Sequence, residues 1–210
     1  MNKELLPTTF PGINGDVYAG FWIRTAAKLL DFMMLLPLTG LIIYLDGLSK
    51  FAYFLIFIPN LIFYIWFEVF LVKKYGGTPG KLIMGIKIIR KDGDDVDWHA
   101  ATMRYLVYFC LSILGIIVMI WTLSLIDNDT YTSLSFFKRS TFMTELNPIP
   151  HKIQLWTSGI WTISTIIVLL SNKRKRAVHD FIAGTVVVKS IFVEKIREII
   201  QPVTPEAEEL

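Results

Sequence analysis

The sequence predicts an α-helical membrane protein: four transmembrane helices carrying a small cytoplasmic β-hairpin or three-stranded sheet. Three observations carry that prediction. The chain is 53% hydrophobic with a mean hydropathy of +0.52, and only 19% of its 210 residues are charged, well outside ordinary soluble composition. Its apolar residues gather in four stretches long enough to cross a bilayer, at about 21–45, 51–72, 105–126 and 153–171. Finally, a β-rich run, Ile86-Lys-Ile-Ile-Arg90, leads into Asp92-Gly93, a dipeptide typical of tight hairpin turns.

The first stretch is the most informative because it carries charge. At 1.5 Å per residue its 25 residues reach roughly 37 Å, enough for a tilted crossing of a hydrocarbon core of about 30 Å. Arg24 lies near its start and can extend to the headgroups. Asp31 sits about 10 Å deeper, where an unpaired carboxylate costs roughly 2.5 to 3.5 kcal/mol. Asp31 must therefore be paired, hydrated or protonated. Arg24, Lys28 and Asp31 share one helical face, which is expected to turn towards protein. Pro37 and Gly40 predict a kink in the outer half, and Asp46 to Lys50 a tight external turn that makes the first two helices antiparallel neighbours.

The second stretch holds Pro59 and Asn60 in its middle and Glu68 near its cytoplasmic end. Glu68 lies at about the depth of Arg24 and Lys28, so an interhelical pair with one of them is expected; the alternative is a carboxylate extending to interfacial water. Gly76-Gly77-Thr78-Pro79-Gly80-Lys81-Leu82 lacks the spacing of a phosphate-binding loop. Thr78 as N-cap, Pro79 in the first turn and Gly85 past the end describe instead a short helix lying on the membrane surface. Residues 85–98 are read as the hairpin. Asp92, Asp94, Asp95 and Asp97 lack the twelfth-position Glu of a calcium loop and are read as a solvated turn.

The third span is entered past Arg104, at its cytoplasmic mouth, and contains Cys110, the single cysteine, expected to act as a small apolar residue in hydrocarbon. Residues 127–150 are an external insertion, either an amphipathic segment on the outer leaflet or bundle, or a solvated loop. The fourth span ends at Lys173-Arg174-Lys175-Arg176, expected to bind anionic headgroups. Residues 177–184 predict a short helix stopped at Gly184, and Thr185 to Val188 a strand pairing with Gly85 to Arg90, because an unpaired edge is unfavourable. Residues 1–20 form a cytoplasmic arm whose Tyr18 and Trp22 suit the headgroup level, and 189–210 a cytoplasmic tail with a short helix from Glu194 and a disordered acidic end.

Orientation follows from charge. Of 21 basic residues, 17 fall on the side of the two termini, and only Lys50, Lys138, Arg139 and Lys152 fall on the other. The positive-inside rule assigns both termini to the cytoplasm. The net charge of +3 is a topology signal and not a nucleic-acid footprint. Nothing before Arg24 has the pattern of a cleaved signal peptide.

An arginine at the start of the first helix, an aspartate seven residues on, Gly-Gly-Thr-Pro-Gly-Lys followed by Gly-Ile-Lys-Ile-Ile-Arg-Lys-Asp-Gly, and a late His-Asp-x-x-Ala-Gly-Thr-x-Val together resemble the RDD family of bacterial membrane proteins. The resemblance implies residence in the bacterial inner membrane. It maps the family's arginine and two aspartates onto Arg24, Asp31 and Asp180, and it implies a transport role, including cation/proton exchange, suggested for some members. The 127–150 insertion departs from the shorter family pattern.

Two functional classes follow. In a small transporter or exchanger of monovalent cations and protons, Asp31 would bind the ion, Arg24 would bias its pKa, and Glu68 and Asp180 would gate or hold Arg24. Four helices make a thin wall, so such a protein would work as a homo-oligomer. In a non-transporting adaptor or lipid-interacting protein, the same charges form a structural clamp between helix one and the C-terminal segment. No nucleophile–base or metal spacing appears among His99, His151 and His179, so the chain is not read as an enzyme, and no cofactor is expected. His179 beside Asp180 is the one pair worth testing for chemistry, with packing as the expected role.

Overall fold

A computed structural model describes residues 6–200. Four of its helices are long and apolar enough to cross a membrane. The first, α1 (Phe21–Leu48), runs unbroken through Pro37. Ser49 closes the turn by accepting from the Phe51 amide and starts α2 (Lys50–Ile65). This helix passes into a π-turn, Trp66–Phe70, and a last α-turn, α3 (Leu71–Tyr75), so the second span is one rod with a bulge at Glu68. The third, α5 (Trp98–Ser124), begins seven residues before the apolar run, capped by Asp97 on the Ala100 amide at 2.7 Å.

The fourth span, α8, runs Pro148–Ser171. Pro148 opens it, since a first-turn proline gives up an amide that has no partner anyway. The insertion is neither a loop nor a single segment: α6 (Asn128–Ser133) and α7 (Phe136–Leu146) fold over one end of the bundle, burying Tyr131 and Met143 against Leu123 and Ile126.

At the other end lies the sheet. The short helices α4 (Pro79–Ile83) and α9 (Val178–Ile182) are each followed by a left-handed glycine, Gly85 at φ +66° and Gly184 at φ +64°, that turns the chain into a strand. The strands β1 (Ile86–Arg90) and β2 (Thr185–Lys189) pair antiparallel, Ile86 opposite Lys189 and Arg90 opposite Thr185, the pairing read from the sequence.

The local hairpin is reduced to one bridge, Ile89 to Asp95, and the far edge of β2 carries another, from Tyr18 of the N-terminal arm. Among the described residues the sheet therefore has two strands with single-bridge flanks, not three strands. The acidic turn is not simply solvated: Asp92 is buried, Asp95 pairs with Lys87 at 2.9 Å and Arg197 at 2.8 Å, and Asp97 pairs with Arg90 at 2.8 Å.

Both sheet faces are covered, which explains why Val186-Val187-Val188 does not alternate with polar residues. Ile86, Ile88 and Val187 pack with Ala27 of α1, Val72 of α3 and Ala101 of α5. Ile89, Val186 and Val188 pack with the arm and with α10 (Val193–Ile200), whose Val193 and Ile196 lie one turn apart. Each fully buried Val or Ile contributes about 1.5 to 3 kcal/mol. Tyr18 belongs to this core and donates to the Pro7 carbonyl at 2.5 Å, so it is not a headgroup residue, whereas Trp22 is 81% exposed. Cys110 is exposed on the outside of α5.

Candidate functional site

Two charge centres lie where the sheet meets the spans. The first is built on Asp180, in the first turn of α9, with a fully buried side chain. The turn geometry points its carboxylate back at the Ala177 amide, which donates at 2.8 Å. Arg24 of α1 donates through Nη1 to the same oxygen, Oδ2, at 2.7 Å. Arg104 of α5 donates to Oδ1 and, at 2.8 Å, to the Thr185 hydroxyl at the start of β2. One carboxylate thus joins two spans, α9 and the sheet. Burial pushes Asp180 up, but Arg104 and Arg24 outweigh it and hold the carboxyl well below the usual carboxylate range.

The remaining guanidinium donors meet main-chain carbonyls. Arg24 Nε reaches the Ala19 carbonyl at 2.9 Å and Nη2 the carbonyl of Lys175, whose backbone is left-handed at φ +50°. Arg176 is buried, donates to the carbonyls of Thr185 at 3.0 Å and Asp180 at 2.9 Å, and stacks 4.1 Å from the Phe181 ring. Arg174 donates to the Leu6 carbonyl at 2.6 Å. Arg174 and Arg176, expected to face headgroups, are therefore turned inwards onto carbonyls of the arm, α9 and β2, while Lys173 is exposed.

The second centre is Asp31, also buried. It is not paired with Arg24 or Lys28. Its Oδ2 accepts from the Thr78 hydroxyl at 2.5 Å and its Oδ1 from the Gly80 amide at 2.7 Å. Asp31 caps α4 from another helix, while Thr78, in the N-cap position, spends its hydroxyl on Asp31. Only glycine fits at 80: a Cβ there would strike the Ala27 carbonyl and lie 2.8 Å from Asp31 Oδ1. The short helix is thus packed into α1 and is not simply laid on the membrane. Arg24 cannot serve both centres, since it lies two turns from Asp31 and its side chain leans towards the helix N-terminus, away from the carboxylate.

Lys28 is exposed, with Nζ 5.2 Å from the centre of the Tyr108 ring. No ion pair joins Glu68 to Arg24 or Lys28 among the described residues; its charge acts instead on Lys81, whose Nζ donates to the Thr78 hydroxyl at 3.1 Å. The expected cluster of five charges is therefore split: Arg24 and Asp180 meet, with Arg104 as a full partner, while Asp31, Lys28 and Glu68 lie elsewhere. Gly80, Arg176 and Thr185 are contributors that sequence reasoning did not single out, and Thr78 is legible there only as an N-cap.

His179 packs 6.0 Å from the Tyr108 ring, with Nε2 3.8 Å from Asp180 Oδ1 and a buried Nδ1 that has no hydrogen-bond partner among the described residues. Burial, with Arg104 and Arg24 close by, overrides the attraction of Asp180 and pushes its pKa down to about 3. The folded state then binds fewer protons than the unfolded one between pH 3 and about 6.5, so stability is lost as the pH is lowered through that window, at a limit of about 1.4 kcal/mol per pH unit. Thermal melts of purified protein from pH 7 to pH 4 are expected to show this slope, and His179→Gln to flatten it. An unchanged slope in the variant would assign the acid sensitivity to other groups.

No solved structure matches the chain. The uncharacterized protein YckC of Bacillus subtilis (strain 168) is 25% identical over 174 residues, covering 80% of this chain and 83% of that protein. The RDD family matches residues 18–184, a range that begins at the arm residue bridged to β2 and ends at the glycine that opens it, and the chain belongs to the RDD family.

Proposed function

We propose that this protein is a non-transporting membrane adaptor, lipid-interacting at its surface, in which the charges lock a cytoplasmic sheet module onto a four-helix bundle. The observation that carries this reading is the coordination of Asp180, buried and held by Arg24 from the first span, Arg104 from the third and the Ala177 amide. Such a centre fixes one arrangement of two spans against the sheet. Inner-membrane residence with both termini cytoplasmic is supported by the basic residues gathered at the sheet end, where the arm, β1, β2 and α10 pack together. Exposed Trp22, Trp98, Phe181 and Ile191 together with exposed Lys73, Lys74 and Lys173 give a composition suited to an anionic headgroup layer.

Cation/proton exchange through Asp31 has less support, because both carboxylate oxygens are taken by Thr78 and Gly80. The test is flux in proteoliposomes holding a pH dye, under Na⁺, K⁺ or Li⁺ gradients of either direction. Wild type is expected to give no cation-dependent proton flux while eluting as a folded species. Flux that Asp31→Asn abolishes would overturn the adaptor reading and place an exchange site on α1.

A further inference from the structure

A cavity of about 570 Å³ lies between the spans, lined from all four of them and covered by α6 and α7. Its size falls within the ~300–1,000 Å³ typical of small-molecule sites. It is also elongated: on α5 its lining runs from Tyr105 to Met119, roughly 21 Å of helix. Arg24 and Asp46 are 22 residues apart on α1, roughly 33 Å, so the covered end of this cavity stands clear of the clamp.

Three of its lining residues hold buried polar atoms with no hydrogen-bond partner among the described residues: Asp46 Oδ1, Asn60 Oδ1 and Arg139 Nε. Buried polar atoms are nearly always satisfied, so three orphans around one cavity call for an occupant. Their chemistry specifies it. Asp46 and Arg139 are adjacent, Arg139 Nη1 donating to the Asp46 carbonyl at 3.2 Å, so one end of the cavity offers a carboxylate oxygen and a guanidinium donor side by side. A head group bearing both a cationic amine and an anionic phosphate meets both. Asn60 lies seven residues beyond Tyr53, about 10 Å deeper, at a depth suited to a hydroxyl below such a head. Around it Phe57, Leu61 and Ile116, and deeper Tyr64 and Tyr105, supply a largely apolar wall for a chain.

We propose that this cavity binds a single-chain zwitterionic phospholipid, its amine at Asp46, its phosphate at Arg139, its glycerol hydroxyl towards Asn60 and its acyl chain between the spans. The site is independent of the clamp, and its failure leaves the adaptor reading standing.

The test is native mass spectrometry of delipidated full-length protein titrated with lysophosphatidylethanolamine. Comparators are lysophosphatidylglycerol, which lacks the amine, and glycerophosphoethanolamine, which lacks the chain. Wild type is expected to bind one lysophosphatidylethanolamine. Asp46→Asn should weaken that binding about tenfold, as loss of a charge-assisted contact does, while leaving the glycerol lipid unaffected. Ile116→Trp, which fills the apolar wall, should abolish binding of the chain-bearing probes. Unchanged binding in Asp46→Asn overturns the proposal even if Ile116→Trp does not fold. Equal binding of glycerophosphoethanolamine alone also overturns it, since the occupant would then be a soluble zwitterion.

Discussion

Asp180→Ala is expected to destabilise the protein by about 3–5 kcal/mol, the range measured when one partner of a buried ion pair is removed. The variant leaves Arg24 and Arg104 facing each other in a buried site with no carboxylate between them, and it strips the Ala177 amide of its acceptor. Two like charges held on separate spans then push α1 and α5 apart where the sheet module docks. Thermal melts followed by size-exclusion chromatography of detergent-solubilised protein read the effect directly. Asp180→Asn separates charge from shape: it keeps one acceptor but removes the charge, so it should fall between wild type and Asp180→Ala. Removing the repulsion as well, in Asp180→Ala with Arg104→Met, should recover part of the loss. A melt of Asp180→Ala indistinguishable from wild type would show that the clamp does not hold the module, and the adaptor reading would lose its main support.

The architecture was legible because hydrophobic length is a one-dimensional signal. A run of 20 apolar residues reads as a span whatever surrounds it, and the strand at Val186 could be matched to Ile86–Arg90 because an exposed edge needs a partner. The two charge centres were only half legible. Asp180 and Arg24 are 156 positions apart, and nothing local announces that Arg104 completes the site; its place at the mouth of a span suited interfacial water equally well. Depth counting placed Glu68 level with Arg24 and Lys28 but says nothing of azimuth, and the π-turn rotates residues 66–70 relative to the preceding helix. Arg176 was hidden inside a basic run that reads as a lipid anchor; its inward turn follows from the carbonyls of Asp180 and Thr185, which α9 and β2 present to it only once the chain has folded. Asp31 was recognised as needing a partner, but the partners proved to be the Thr78 hydroxyl and a main-chain amide, and a glycine in the sequence does not advertise its N–H.

Gly80→Ala should be the second most damaging small substitution, because its Cβ meets main chain and not a mobile side chain. The Ala27 carbonyl and Asp31 occupy that space, so either α4 leaves its seat on α1 or α1 bends. Overpacking of this kind costs about 1–3 kcal/mol, and losing the hydrogen bonds to a charged acceptor adds about 1.5–3 kcal/mol. Gly159→Ala on α8, where a Cβ meets nothing within 4 Å, serves as the control and should change stability by less than about 0.5 kcal/mol. Asp31→Leu leaves the Thr78 hydroxyl and the Gly80 amide buried without an acceptor and should approach the cost of Gly80→Ala. Asp31→Asn behaves differently: its amide oxygen can still accept from Gly80 while the Thr78 hydroxyl rotates to accept from its NH₂, so the loss should stay near 1 kcal/mol. The melting order Gly159→Ala, Asp31→Asn, Asp31→Leu, Gly80→Ala, from most to least stable, is the signature of an aspartate that works as a helix cap. A group held for ion exchange predicts a different order, because buried charge without a fixed donor is destabilising and its neutralisation would raise the melting temperature of Asp31→Asn above that of wild type.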